Sequence, residues 1–200
     1  MENIWDQRYG QEGYIYGKAP NAFFKQETDR LKPGKILLPA EGEGRNAVYA
    51  AKNGWRVLAL DMSQAGRNKA LKLAEEAGVG IQYEICDLTS CLLPENEFDA
   101  LAIIFAHFPS ETRRMVYRKL LVALKPGGTL ILETFSKKQL GKKSGGPQNL
   151  DMLNNIEELK LDFKDLDFKE IIETEIVLQE GDFHLGKAEV IRIVAVKPIV

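Results

Sequence analysis

I-L-L-P-A-E-G-E-G-R-N, spanning Ile36–Asn46, is an apolar run that breaks abruptly into a glycine-bearing bend. The alanine-rich stretch that follows reads as a helix over Asn46–Asn53, stopped by Gly54. A buried strand turning sharply into a helix needs the freedom that Gly42 and Gly44 provide, and their lack of a side chain lets a ligand approach the backbone. The N–H groups that open the helix can receive an anionic ligand group. A second strand, Val57–Leu60, is closed by Asp61, 17 residues beyond Gly44. A carboxylate there can accept hydrogen bonds from both hydroxyls of a ribose. A short G-x-G also occurs in turns that only link strand to helix. Asp61, Asp87 at the end of a third strand, and Pro-Gly-Gly before a fifth make the ligand-binding reading the stronger one.

Outward from this bend, short apolar runs alternate with helical spacing, which signals βαβ units and a parallel sheet. A helix is expected over Gly66–Ala77 and a third strand over Ile81–Cys86. Phe98–Phe105 is almost unbroken in its apolarity, as befits a strand buried on both faces. Thr112–Leu124 reads as an amphipathic helix ended by K-P-G-G, with a fifth strand over Thr129–Thr134. Gln139–Asn149 reads as a loop and Asn154–Phe163 as a helix. Two strands, Ile171–Leu178 and Ala188–Lys197, suggest a hairpin added to the sheet. One domain is expected over residues 1–200, with residues 1–30 as a possible N-terminal lid.

The chain has 200 residues, 27 Lys and Arg against 29 Asp and Glu, and no basic stripe, which argues against a charge-driven nucleic-acid binder. Its longest apolar run, Ala100–Ala106, is far short of the roughly 20 residues that span a bilayer. The opening M-E-N-I-W-D lacks the basic and apolar regions of a secretory leader. Cys86 and Cys91 fit no common zinc or thioredoxin spacing, and a cytoplasmic setting is expected.

The order bend, acid, acid, apolar strand, L-K-P-G-G and final hairpin resembles the class I S-adenosylmethionine-dependent methyltransferases. The likeness extends to small bacterial enzymes near the tellurite-resistance and thiopurine methyltransferases. It is carried by W-D-Q-R-Y at Trp5–Tyr9, Y-I-Y-G-K-A-P-N at Tyr14–Asn21 and G-E-G-R-N at Gly42–Asn46. G-G-P at Gly145–Pro147 and E-G-D-F-H-L-G-K-A at Glu180–Ala188 complete it. The resemblance implies a Rossmann-like α/β sandwich: a mostly parallel seven-stranded sheet, a C-terminal antiparallel hairpin, and helices on both faces. It implies S-adenosyl-L-methionine as cofactor, with Gly42 and Gly44 near its methionine and ribose. Asp61 would bind the ribose and Met62 would pack on the adenine. Asp87 would accept from the adenine amino group, and Leu88 would donate its N–H to the ring. Phe105 and Ala106 would line the floor beneath the methionine chain. The family's D-x-G-x-G-x-G opening is altered: Leu38 and Ala40 stand at its first two marked positions. Glu41 is a candidate to replace the missing aspartate by accepting from the cofactor's ammonium.

Methyl transfer from a sulfonium asks the protein mainly for positioning, although oxygen and nitrogen acceptors sometimes need a base. His107, after the fourth strand, is the candidate catalytic group, as a base or a polar contact; it can equally cap the loop before Pro109. His184 is a candidate substrate contact. Its alternation with Glu180 and Asp182 permits a metal reading, but a solvated turn or a hydrogen-bonded structural histidine explains it better, and no metal is expected. Tyr14 and Tyr16 are candidate substrate contacts in an aromatic lid with Trp5, or part of a packed N-terminal segment. Lys137, Lys138, Lys142 and Lys143 either attract an anionic substrate or form a solvated loop face. The reading is methyl transfer to a small acceptor (thiol, amine, hydroxyl or chalcogen oxyanion), with neither nucleic acid nor membrane as partner, by a monomer or homodimer. The alternatives are a catalytically inactive binding module and a nicotinamide oxidoreductase. The latter's G-x-G-x-x-G is met only in part, with Ala47 in third place.

Overall fold

The computed structural model describes residues 4–199. Seven strands form one sheet in the order β3-β2-β1-β4-β5-β7-β6. They are β1 (Lys35–Pro39), β2 (Arg56–Asp61), β3 (Gln82–Ile85), β4 (Phe98–Ile104), β5 (Leu124–Phe135), β6 (Asp167–Gln179) and β7 (Leu185–Val196). The first five pair in parallel, whereas β7 runs antiparallel to both β5 and β6. This is the expected mostly parallel sheet with a terminal hairpin. The helices are α1 (Ile4–Tyr9), α2 (Ala22–Thr28), α3 (Arg45–Lys52), α4 (Gln64–Glu76), α5 (Ser110–Ala123) and α6 (Ile156–Asp162).

Strand alternation splits the core into two layers. Leu37, Leu101, Ile103, Leu130 and Leu132 face α5 and α6 through Val116, Tyr117, Leu120, Leu159 and Phe163. Ile36, Leu38, Ala100, Ala102 and Ile131 face the opposite way, onto Phe23, Phe24, Ala47, Ala50 and Ala70 of α2, α3 and α4. Successive residues pointing to opposite faces explain why these strands read as continuous apolar runs. Sheet order reverses between β1 and β4, so the carboxyl ends of these two strands open a crevice.

The K-P-G-G segment departs from expectation. It does not precede the fifth strand but lies inside β5. Leu124 pairs with Phe98 and Thr129 with Ala100, so Lys125–Gly128 bulges out of the ladder. The freed backbone is recovered by the tail: Gly127 N–H donates to the Lys197 carbonyl, and Lys197 N–H donates to Gly128. The third strand is shorter than expected, ending at Ile85, and the hairpin strands are longer. The Gln139–Asn149 loop is entered through a short 3-10 turn, Lys137–Gln139. Among the described residues, no helix is long and apolar enough to cross a membrane.

Candidate active site

A cavity of about 750 Å³ opens at the crevice. Ala40, Glu41, Glu43, Arg45 and Asn46 form one wall, from the bend after β1 and the start of α3. Ile104, Phe105 and His107, at and beyond the end of β4, form its floor. The rest of the boundary comes from Trp5, Arg8 and Tyr9 of α1, Tyr16, the 141–148 loop, and Asp182–His184 of the hairpin turn. Its size suits a small organic ligand.

The bend is held by its own polar groups. Glu41 N–H donates to the Leu60 carbonyl (3.1 Å), and Ala47 N–H at the start of α3 donates to Glu41 Oε1 (2.7 Å). Burial pushes the Glu41 carboxyl up to about 7 against the pull of the Ala47 N–H and Arg45. Ala40 carries φ +53° where glycine would be unstrained. Gly42 and Gly44 also have positive φ, but protein fills the space their side chains would need. A Cβ on Gly42 would lie 2.6 Å from the Tyr9 hydroxyl, and one on Gly44 2.4 Å from Ala70 Cβ. The bend therefore needs its glycines for packing against α1 and α4.

Asp61 stands at the tip of β2, almost wholly buried. Its Oδ2 accepts from Gly42 N–H and its Oδ1 from Ser63 N–H, both at 2.9 Å. Burial raises its pKa, although these N–H groups oppose the rise. The Met62 N–H also bonds to this carboxylate, and Asp61 sits behind the bend rather than among the residues that border the cavity. Asp61 lies under α1: Tyr9 rests on Gly42, and Asp6 accepts from Ser63 Oγ (2.6 Å) and Ala65 N–H (2.9 Å), tying α1 to the start of α4. Trp5 stacks on Tyr9 with ring centres 5.6 Å apart.

The other expected cofactor contacts are divided. Ala40, Glu41 and Phe105 border the cavity. Met62 is exposed beyond β2. Asp87 is exposed two residues past the end of β3 and accepts from Thr89 N–H and Oγ1, which holds its pKa down. Leu88 and Ala106 are buried in the layer under α5. Phe105, a bulky residue, holds φ +50°, an uncommon conformation that marks a constrained turn.

At the other end, aromatic rings converge. His184 packs on Tyr16 (4.5 Å between ring centres), Phe105 (4.8 Å) and Phe135 (5.4 Å). Its Nδ1 lies 3.2 Å from Glu180 Oε2. His107 stacks on Phe135, and its buried Nδ1 has no partner among the described residues. Burial, with help from His184 and Arg8, drives the His107 pKa down to about 3. Tyr14 is not at the cavity; its hydroxyl donates to the Lys69 carbonyl on α4. The loop lysines are mostly paired: Lys137 with Glu158, Lys138 with Glu173, Lys142 with Glu189. Lys143 is exposed at the cavity rim. Among the described residues no cluster of three or more His, Cys, Asp or Glu could hold a metal.

Sequence reading did not single out Arg8, Glu43, Arg45, Asn46 or Asn21. All five lie inside quoted motifs, W-D-Q-R-Y, G-E-G-R-N and A-P-N, so the signal was present without a partner to interpret it. Asn21 Nδ2 donates to Glu133 Oε2 (2.5 Å) and Glu180 Oε1 (3.0 Å), its Oδ1 accepts from Phe24 N–H, and its N–H donates to Asn46. Arg192 closes on Glu133 (2.6 Å) and Arg45 on Glu180 Oε2 (2.9 Å).

Residues 36–128 match the family of methyltransferase domains. A phosphoethanolamine N-methyltransferase of Triticum aestivum is 28% identical over 109 residues, covering 54% of this chain and 22% of that protein. The matched region spans less than half the length of each curated relative. TehB of Haemophilus influenzae superposes with a TM-score of 0.73 at 18% identity, covering 96% of this chain and 65% of that one. A SAM-dependent methyltransferase of Anabaena variabilis superposes with a TM-score of 0.70 at 16% identity, covering 96% and 91%. At these identities the superpositions establish the fold.

Proposed function

We propose that this chain is an S-adenosylmethionine-dependent methyltransferase acting on a small-molecule acceptor, a reading supported by the match of residues 36–128 to a methyltransferase-domain family and by the shared fold. One observation carries the reading: a single cavity joins the bend after β1 to the aromatic and histidine cluster beyond β4. Ala40, Glu41, Asn46 and Phe105 would hold the amino-acid end of the donor, and Asp61 its ribose. Met62, Asp87 and Leu88 remain candidates for the adenine. The bound donor supplies an electrophilic methyl on a positively charged sulfur. The protein's own contribution is to orient the acceptor, exclude water and manage its proton.

Glu41 supports a specific role. With its carboxyl poised near 7, ionisation of Glu41 would match the ammonium of the donor's amino-acid end. Affinity for S-adenosylhomocysteine should rise as pH approaches 7 and level off above it, and Glu41→Gln should flatten that profile. Titration calorimetry over this range checks both, and a pH-independent wild type would dismiss the pairing.

α1 fits the role of a lid, because Tyr9 and Asp6 cover Asp61 while Trp5 and Arg8 border the cavity. Tyr16 and His184 would contact the acceptor, and His107, neutral across the physiological range, would offer it a hydrogen bond. The near-balanced charge supports a small acceptor over nucleic acid, and the free cysteines suit a cytoplasmic monomer or homodimer. Calorimetry with S-adenosylmethionine and S-adenosylhomocysteine, followed by turnover over thiols, amines, phenols and chalcogen oxyanions, tests the proposal. Absence of affinity for both donor forms would end it.

A further inference from the structure

Glu180 is pinned on three sides, and this fixes the chemistry of the imidazole beside it. Its Oε2 receives Arg45 Nη2 at 2.9 Å, its Oε1 receives Asn21 Nδ2 at 3.0 Å, and the His184 Nδ1 lies 3.2 Å from Oε2. Burial works against ionisation of Glu180, but the hydrogen bond from His184 and the charge of Arg45 prevail and hold its pKa down to about 2. An ionised carboxylate can only accept, so the proton of the shared hydrogen bond must sit on Nδ1 of His184. The other nitrogen, Nε2, is left with its lone pair, and it has no hydrogen-bonding partner among the described residues. The ring is clamped at the cavity wall by Tyr16, Phe105 and Phe135. His107 differs in each respect: no carboxylate orients it, and its buried Nδ1 is unpartnered.

We propose that His184 is the catalytic base for acceptors that must lose a proton, with Glu180, and through it Asn21 and Arg45, as positioning residues. This rests on the methyltransferase reading above and adds to it the class of acceptor, a neutral X–H group on oxygen or nitrogen. The X–H proton passes to Nε2, the freed electron pair forms the bond to the methyl carbon, and the carbon–sulfur pair leaves with sulfur as a neutral thioether. The imidazolium so formed faces the Glu180 carboxylate and afterwards returns its proton to water. The charged and titratable groups around the ring are Arg8 on α1, Tyr16 on the N-terminal strap, Arg45 on α3 and His107 beyond β4. Glu180 and Asp182 lie on the hairpin turn and Lys142 and Lys143 on the adjoining loop, and Glu41 and Glu43 on the bend after β1 border the same cavity. Burial keeps the ring neutral, with its pKa below the ordinary histidine value although Glu180 pulls the other way.

The chain has two histidines, so long-range ¹H–¹⁵N NMR of the ring nitrogens resolves both, and the His184→Gln spectrum identifies His107. Near neutral pH, His184 of the wild type is expected as the Nδ1–H form, with a mixture of forms in Glu180→Gln. Turnover is then compared between phenol, which must be deprotonated, and thiophenol supplied as thiolate. His184→Gln should lose about a hundredfold or more in kcat with phenol, and substantially less with the thiolate. In Glu180→Gln the pH–rate profile with phenol should shift, and that with the thiolate should not. A proton on Nε2 in the wild type, or equal losses on the two acceptors, would overturn the proposal. So would a phenol rate that His184→Gln leaves undiminished, or a wild type that methylates thiophenolate and never phenol. A wild type with no affinity for S-adenosylhomocysteine would instead overturn the methyltransferase reading, whatever the tautomer.

Discussion

Ala40 shows how a single side chain can be at odds with its backbone. A left-handed conformation at a residue bearing a Cβ costs about 1–2 kcal/mol, and glycine would relieve most of it. Ala40→Gly is therefore expected to raise stability by about 1 kcal/mol in urea unfolding. Gly44→Ala is expected to cost several times as much, since its Cβ would collide with Ala70 Cβ, which cannot swing aside. Glu41 ties stability to pH. Its folded pKa near 7 lies above the ordinary 4.5, so the folded protein keeps a proton that the unfolded chain releases. That contribution is fully present below the lower value and is lost as pH rises through the upper one, up to about 3 kcal/mol. Glu41→Gln should remove this slope, as urea midpoints across the same pH range would reveal. At this scale the sequence was partly readable. The glycines announce the bend, but that Tyr9 and Ala70 require them depends on residues far away in the chain.

Among the elements, the strands and central helices were readable because each carries its own periodicity. The K-P-G-G segment was misplaced because Pro and Gly punctuate helices in the same way that they form a bulge. Only the pairing of Gly127 and Gly128 with Lys197 tells the two apart. α1 is six residues long and has little intrinsic stability, so its place depends on the bonds that Asp6 accepts from the start of α4 and on the stacked Trp5 and Tyr9. Asp6→Ala removes a side chain that bonds both Ser63 Oγ and Ala65 N–H. It is expected to cost about 1 kcal/mol and to speed hydrogen exchange in residues 4–9 while the core stays protected.

For the molecule as a whole, Asn21 is the node where the N-terminal segment, β5, α3 and the hairpin meet. No spacing rule could have found bonds across 112 and 159 residues of chain. Asn21→Ala would leave Glu133 and Glu180 short of donors in a buried setting. Its expected cost is about 2–3 kcal/mol, with an unchanged m-value if unfolding stays two-state. The cover over the nucleoside side carries a kinetic consequence. If α1 is the lid proposed above, with Tyr9 resting on Gly42, exchange of the donor for its spent form is expected to wait on undocking of this helix, and that motion would then limit the turnover number. Trp5 stands on that helix and Trp55 is buried in the core, which gives stopped-flow fluorescence a moving reporter and a fixed one.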